Sequence, residues 1–208
     1  MNAQSLRLLL NAWASLMAEN RERLIELDSV AGDSDLGLTM TDGFRAAAKA
    51  AAESPESDLG KLSYQAGKAM ASAVPSTMGT LMASGLMNAG KVLKGKEELA
   101  ESDEADFFQA YFDGVQSRGK AALGDKTFLD AFSPAVVALQ GGLSQGRSGK
   151  DAANAANEAA QKGYEATKGM LARQGRLAIR GEASRELPDP GAAVAVLLMQ
   201  GYADIKNR

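Results

Sequence analysis

Apolar residues recur at three- and four-residue intervals through almost the whole chain, and this limits the folds open to it. The first segment carries Leu6, Leu9, Leu10, Trp13, Leu16, Met17, Leu24 and Leu27, with Glu19, Arg21, Glu22 and Arg23 on other faces. That spacing puts one greasy stripe along a helix. The pattern breaks at Asp28–Gly37, where Gly, Asp and Ser are too dense for a helix, and resumes from about Leu38 to Ala52. Further helices are predicted at roughly 57–73, 76–94, 103–121, 127–143, 150–173 and 191–206. About eight helices of similar length on short connections imply antiparallel neighbours in a barrel or bundle.

Composition agrees. Of the 208 residues 45% are hydrophobic but only 5% are aromatic, and Ala, Leu, Met, Lys and Glu dominate. These residues lose little side-chain freedom in a helix, so an all-α fold follows. No stretch has the composition of a linker, and residues 1–208 read as a single domain long enough to bury a real core. The longest irregular piece is Gln174–Pro188, which carries Arg176, Arg180, Gly181, Glu182 and Arg185 without apolar periodicity. Long loops inside compact domains are more often functional or disordered than idle.

Several chemistries are excluded by what the chain lacks. It contains no cysteine and no histidine. A disulfide framework, a thiolate metal site, the usual zinc ligand and the usual general base are therefore ruled out. A net charge of −3 without a basic run argues against nucleic acid as a partner. The N-terminal residues lack a signal-peptide pattern, and no segment approaches the roughly 20 apolar residues of a membrane span. The plain expectation is a cytoplasmic protein with no membrane association.

The remaining chemistry must run on carboxylates, hydroxyls, Lys, Arg and backbone amides, and these cluster in four loops. Asp28, Asp33 and Asp35 fall within eight residues on a Gly-containing loop. Unpaired, they repel, so a cation should share them. Hard oxygen ligands suit Mg²⁺ or Ca²⁺, although the loop lacks the EF-hand ligand alternation. The competing reading is an acidic loop in which Asp33 or Asp35 caps the next helix. Asp189-Pro190-Gly191 has the residue types that start a helix, and helix N-termini also attract phosphate. Gly124-Asp125-Lys126-Thr127 and Val74-Pro75-Ser76-Thr77-Met78-Gly79 each place hydroxyls at a predicted helix start, and neither fits a Walker pattern. The last three loops each read alone as a cap, the acidic loop reads equally as a metal site or a cap, and four together suggest one shared anion site.

In order along the chain stand Asp28, Asp33-Ser34-Asp35 with Gly37, then Ser117-Arg118-Gly119-Lys120 with Gly124-Asp125-Lys126-Thr127, then Gly175-Arg176, Gly181-Glu182 and Asp189-Pro190-Gly191. This ordered set resembles the nucleotide-binding (L) subunit of bacterial dihydroxyacetone kinases and the matching domain of the single-chain, ATP-dependent enzymes. The resemblance covers nearly the whole chain.

It implies a barrel of eight antiparallel helices with ADP or ATP at one end. It also implies two Mg²⁺ ions held by Asp28, Asp33 and Asp35. Residues lining the nucleotide would be Leu36, Gly37, Leu38 and Thr39, Ser76 with Thr77, Gly119, Phe128, Arg176, and Asp189, Pro190 and Gly191. The sugar site, and the histidine that holds a short ketose such as dihydroxyacetone, would belong to a separate K-type subunit. The phosphoryl source would be either ATP or a phosphotransferase-system protein that recharges bound ADP. Two positions depart from the family's pattern: Leu36 stands where a histidine is usual, and Ala73-Val74-Pro75-Ser76-Thr77 replaces a glycine-rich phosphate loop. The expected activity is that of a kinase subunit, inactive alone, with a non-catalytic nucleotide-sensing module and a helical scaffold as the alternatives.

Overall fold

The computed structural model describes residues 1–30 and 32–208. Among these are nine α-helices and no β-sheet. They are α1 (Ala3–Glu19), α2 (Arg21–Ser29), α3 (Leu36–Glu53), α4 (Leu59–Ala73) and α5 (Thr77–Val92). Then come α6 (Glu104–Gly119), α7 (Phe128–Ser144), α8 (Gly149–Ala166) and α9 (Pro190–Lys206). The all-α expectation holds, with one helix more than predicted. The first apolar segment is two helices, because the chain breaks at Asn20, whose side-chain amide donates to the Leu16 carbonyl. Residues 167–173, expected to extend α8, instead lead into the following segment, and Arg176–Glu186 winds in 3₁₀ turns interrupted at Gly181.

Helices α1 and α3–α9 pack in a closed ring, each against its chain neighbour, and α9 returns to α1. Consecutive members run antiparallel. Helices α3, α5, α7 and α9 therefore all begin at one end of the barrel, while α4, α6 and α8 finish there. Helix α2 lies outside this alternation, packed on α3.

Most of the few aromatic residues are gathered inside, Tyr64 being the exposed exception among the described residues. Trp13 meets Phe44 at 5.8 Å and Tyr111 at 6.0 Å between ring centroids, and Tyr111 meets Phe132 at 5.5 Å. Phe132 stacks on Phe128 at 4.8 Å. This chain of contacts runs from mid-barrel to the first residue of α7. Trp13 also donates from Nε1 to the Leu198 carbonyl at 2.7 Å, so its one polar atom is satisfied in the core. The alanines of α8 (Ala152, Ala153, Ala156 and Ala160) are buried, and their small size lets α8 approach α7 and α9 closely.

At the pole where α1 begins and α9 ends, the buried Glu104 accepts from Tyr202 Oη at 2.6 Å and from the Met1 nitrogen at 2.9 Å, and pairs with Lys206 Nζ at 2.9 Å. A buried carboxylate is tolerable only with such partners. This tie holds the far end of the barrel, leaving the near end for the loops. No helix among the described residues is long and apolar enough to cross a membrane.

Candidate functional site

The near end of the barrel encloses a cavity of about 690 Å³. Four helix N-termini open onto it: Leu36 of α3, Ser76 and Thr77 at α5, Thr127 and Phe128 at α7, and Asp189, Pro190 and Gly191 at α9. Each brings the positive end of a helix dipole, so together they favour an anion.

The caps explain why the sequence folds this way. Ser76 Oγ accepts the Gly79 amide at 3.0 Å. Thr127 and Asp130 form a capping box on α7. Asp189 Oδ2 accepts the Ala192 amide at 2.7 Å, and Pro190 follows at the first helical position, where its missing N–H costs nothing. Gly191 lies close against the start of α7, since a methyl group there would sit 3.3 Å from the Phe128 nitrogen and 3.0 Å from Asp189 Oδ2. That contact sets the α7 and α9 N-termini side by side.

The fourth N-terminus differs. Asp35 occupies the cap position of α3 but makes no side-chain cap bond. Asp28, reaching across from the end of α2, accepts the Asp35 amide through Oδ2 at 3.1 Å and the Leu36 amide at 3.4 Å. Helix α3 is thus capped from outside. The carboxylates of Asp28, Asp33 and Asp35 each offer an oxygen within 4.8 Å of the others. Burial pushes the Asp35 carboxyl above its ordinary pKa, and repulsion from Asp33 and Asp28 adds to the shift. Three hard oxygens crowded in this way are chemically suited to Mg²⁺, which is bound through a few carboxylates together with water and phosphate.

The segment after α8 closes over the cavity. Arg176 Nη2 lies 2.5 Å from Asp33 Oδ2, and Arg180 donates to the Val30 carbonyl. Ile179, between them, is 87% exposed yet lines the cavity mouth. The opposite wall is apolar, made by Met78 and Leu81 of α5, Val115 of α6, and Phe128 and Leu129 of α7. An acidic, amide-rich rim beside an apolar recess fits a ligand with a phosphate tail and a flat apolar head.

Of the residues expected around a nucleotide, Leu36, Ser76, Thr77, Gly119, Phe128, Arg176, Asp189, Pro190 and Gly191 line the cavity. Gly37, Leu38 and Thr39 do not. Leu38 points outward, 43% exposed. Thr39 is buried, its amide bonded to the Asp35 carbonyl. Gly37 packs on α2, where a methyl group would sit 2.2 Å from the Arg21 carbonyl oxygen. One helical turn carries only its first residue to the rim, which accounts for the difference.

Sequence reasoning missed Lys126. Its loop read as a helix cap with no separate role for the lysine, but Lys126 is fully buried and backs the cavity wall. Its positive φ of 64° marks a special position, and no sequence pattern announces it.

Comparison with known proteins places this architecture. The family model described as DAK2 domain matches residues 30–204. The "PEP-dependent dihydroxyacetone kinase, ADP-binding subunit DhaL" of Escherichia coli is 31% identical over 194 residues, covering 93% of this chain and 92% of that protein. The "L-erythrulose 1-kinase" of Mycolicibacterium smegmatis is 34% identical over 210 residues, and the chain spans 36% of its length. Among solved structures, the native dihydroxyacetone kinase of C. freundii superposes with a TM-score of 0.74 over 97% of this chain and 34% of that one, at 22% identity. The same enzyme in complex with AMP-PNP and Mg²⁺ gives 0.70 at 24% identity, over 95% of this chain and 33% of that one. The chain belongs to the DAK2-domain family, together with ADP-binding subunits of bacterial dihydroxyacetone kinases.

Proposed function

We propose that the chain is the Mg·nucleotide-binding, phosphoryl-donating part of a short-ketose kinase. The observation that carries this reading is the disposition of the three aspartates. Asp28 alone caps α3, so the Asp33 and Asp35 carboxylates face the cavity uncommitted to backbone amides among the described residues. A purely structural acidic loop would spend them on capping.

In this reading Asp28, Asp33 and Asp35 hold one or two Mg²⁺ ions, which neutralise and gather the phosphates of ADP or ATP. The amides at the starts of α5 and α7, with the Ser76 and Thr77 hydroxyls, orient the phosphate oxygens, and the α9 dipole adds its positive end. Arg176 adds a cation at the mouth, and the apolar wall around Leu81, Val115 and Phe128 takes the base. Phosphoryl transfer needs mainly alignment and charge neutralisation, so the absence of a histidine base is no obstacle.

The ketose needs another site. Relatives named as erythrulose kinases are much longer than this chain, whereas the E. coli relative is named as a subunit and matched almost throughout. The chain therefore acts with a sugar-binding K-type subunit that holds dihydroxyacetone or a four-carbon analogue. It carries out no turnover by itself. The E. coli name specifies a phosphoenolpyruvate-dependent enzyme, which supports ADP held in place and recharged by a phosphotransferase-system protein. A nucleotide-sensing module without turnover is the outcome if binding occurs and no sugar-binding partner elicits transfer.

The test is calorimetric titration with ADP and ATP, each with Mg²⁺ and with EDTA. Mg²⁺-dependent binding in the parent, lost in Asp33→Asn and Asp35→Asn variants with unchanged helical content, is expected. Equal binding by parent and variants, or none in the parent, sinks the assignment.

A further inference from the structure

Lys126 is the largest charged residue inside the molecule that this chemistry leaves without a role. Its side chain is 0% exposed, so its ammonium does not meet solvent at the cavity. Nζ donates to the carbonyls of Met170 at 3.2 Å and Leu187 at 2.6 Å, and to that of Ser184. An ammonium has three protons, and three acceptors take them. Those acceptors come from the two ends of one segment: Met170 just beyond α8, Ser184 and Leu187 just before α9.

Other bonds join the same two ends. Ser184 Oγ accepts the Ala172 amide at 3.0 Å. The Gly169 amide donates to the Arg185 carbonyl at 2.8 Å, and Arg185 Nη1 donates back to the Gly169 carbonyl at 2.7 Å. The Arg173 amide donates to the Asp125 carbonyl at 3.0 Å, beside Lys126 itself. Residues 169–187 thus form a loop whose neck is closed by a buried cation and whose tip carries Arg176 and Arg180 to the acidic loop. Compact loops with joined ends of this type commonly serve function.

We propose that Lys126 is a positioning residue: it clasps the neck of the 169–187 strap and so holds Arg176 over the cavity mouth. An apolar residue would fill the same space at lower desolvation cost. A cation with three carbonyls fixes the direction of three peptide units, which packing alone does not. Burial draws the Lys126 pKa below the ordinary lysine value, and the nearby Asp189 charge opposes that shift. Because Lys126 sits directly before the cap of α7, the clasp also ties the strap to a helix start that faces the cavity.

The consequence for ligand rests on the nucleotide reading above; the clasp itself does not. The experiment compares the full chain with Lys126→Met, which keeps the apolar stem, and with Leu139→Ala, a buried position in mid-α7 away from the cavity. Trypsin has targets at Arg173, Arg176, Arg180 and Arg185 within the strap. Native cleavage there should rise about tenfold or more in Lys126→Met, and Mg·ADP affinity should fall about tenfold. Leu139→Ala, with a comparable loss of thermal stability, should leave both within about twofold.

Equal strap cleavage in Lys126→Met and parent, or an equal rise in Leu139→Ala, overturns the proposal. If Lys126→Met does not fold, hydrogen exchange in the parent decides. The Gly169, Ala172 and Arg173 amides should exchange far more slowly than those of the strap tip, and equal rates would overturn the clasp. A parent that takes up no Mg·ADP refutes the nucleotide reading, while the cleavage and exchange results still judge Lys126.

Discussion

Arg176 and Asp33 meet across the cavity mouth, Nη2 to Oδ2 at 2.5 Å, joining a strap that follows α8 to a loop that precedes α3. Their side chains are 61% and 41% exposed. An ion pair so open to water and salt contributes under about 1 kcal/mol to folding. Arg176→Gln should therefore move Tm by no more than about 3 °C in a chain of this size. If Arg176 serves phosphate, the same change should weaken Mg·ADP binding about tenfold. Thermal melts and calorimetry on one preparation separate the two. A large Tm loss with unaltered binding would make the pair a structural tie.

Gly37 matters without touching the cavity. Its bare Cα lets α3 press on α2, and α2 carries Asp28 to the start of α3. Gly37→Ala would place a methyl group 2.2 Å from the Arg21 carbonyl oxygen, a backbone atom that moves only if a helix moves. Overpacking of this type costs about 1–3 kcal/mol. Separation of α2 from α3 should also pull Asp28 away from Asp33 and Asp35. The expected result is a lower Tm together with weaker Mg²⁺-dependent binding; a lower Tm with full binding would disconnect the helix contact from the acidic cluster.

Asp35 presents the reverse balance. Repulsion from Asp33 and Asp28 adds to burial in raising its pKa, so its charge is held against electrostatic cost. Asp35→Asn keeps the shape and removes that repulsion. In EDTA at low salt the variant should be slightly more stable than the parent, by roughly 0.5 kcal/mol or less because the group is solvent-screened. The gain should fade as salt is added. A less stable variant under those conditions would mean that the carboxylate has a structural partner.

Much of the fold was legible because the signal is periodic. Eight apolar stripes mark the eight ring helices, and the small-residue stripe of α8 accounts for its close packing. The break at Asn20 was not legible, since neither Gly nor Pro marks it and Leu24 and Leu27 continue the apolar pattern. The end of α8 was misjudged for a different reason: Gly169, which takes a positive φ of 101° just past the helix, is a stop signal that the reading to residue 173 passed over. The loops around the cavity could be found one at a time, because caps use a small set of residues. Their convergence could not be deduced locally, as it follows from the antiparallel ring. Lys126 shows the limit most clearly. Nothing in Gly124-Asp125-Lys126-Thr127 distinguishes a buried ammonium from a solvated one, because its three acceptors lie 44 to 61 residues away.

Asp189 links the caps to pH. It is buried, it caps α9 through the Ala192 amide, and burial pushes its carboxyl pKa up to about 7. The amides of Ala192 and Gly191 and the charge of Lys126 pull the value down, and Asp130 pushes it up. In the unfolded chain the same carboxyl titrates near about 4. The folded state therefore retains a proton that the unfolded state releases. By linkage, its contribution to stability is complete below about pH 4 and is lost as pH rises through about 7. Asn caps a helix as well as Asp does and has no proton to lose. Asp189→Asn should thus fold with a normal α9, and its stability relative to the parent should rise between pH 5 and pH 8. Denaturant melts at those two values read the difference directly. Parallel profiles for parent and variant would show that Asp189 is already ionised at pH 5, its charge held by the α9 amides and Lys126.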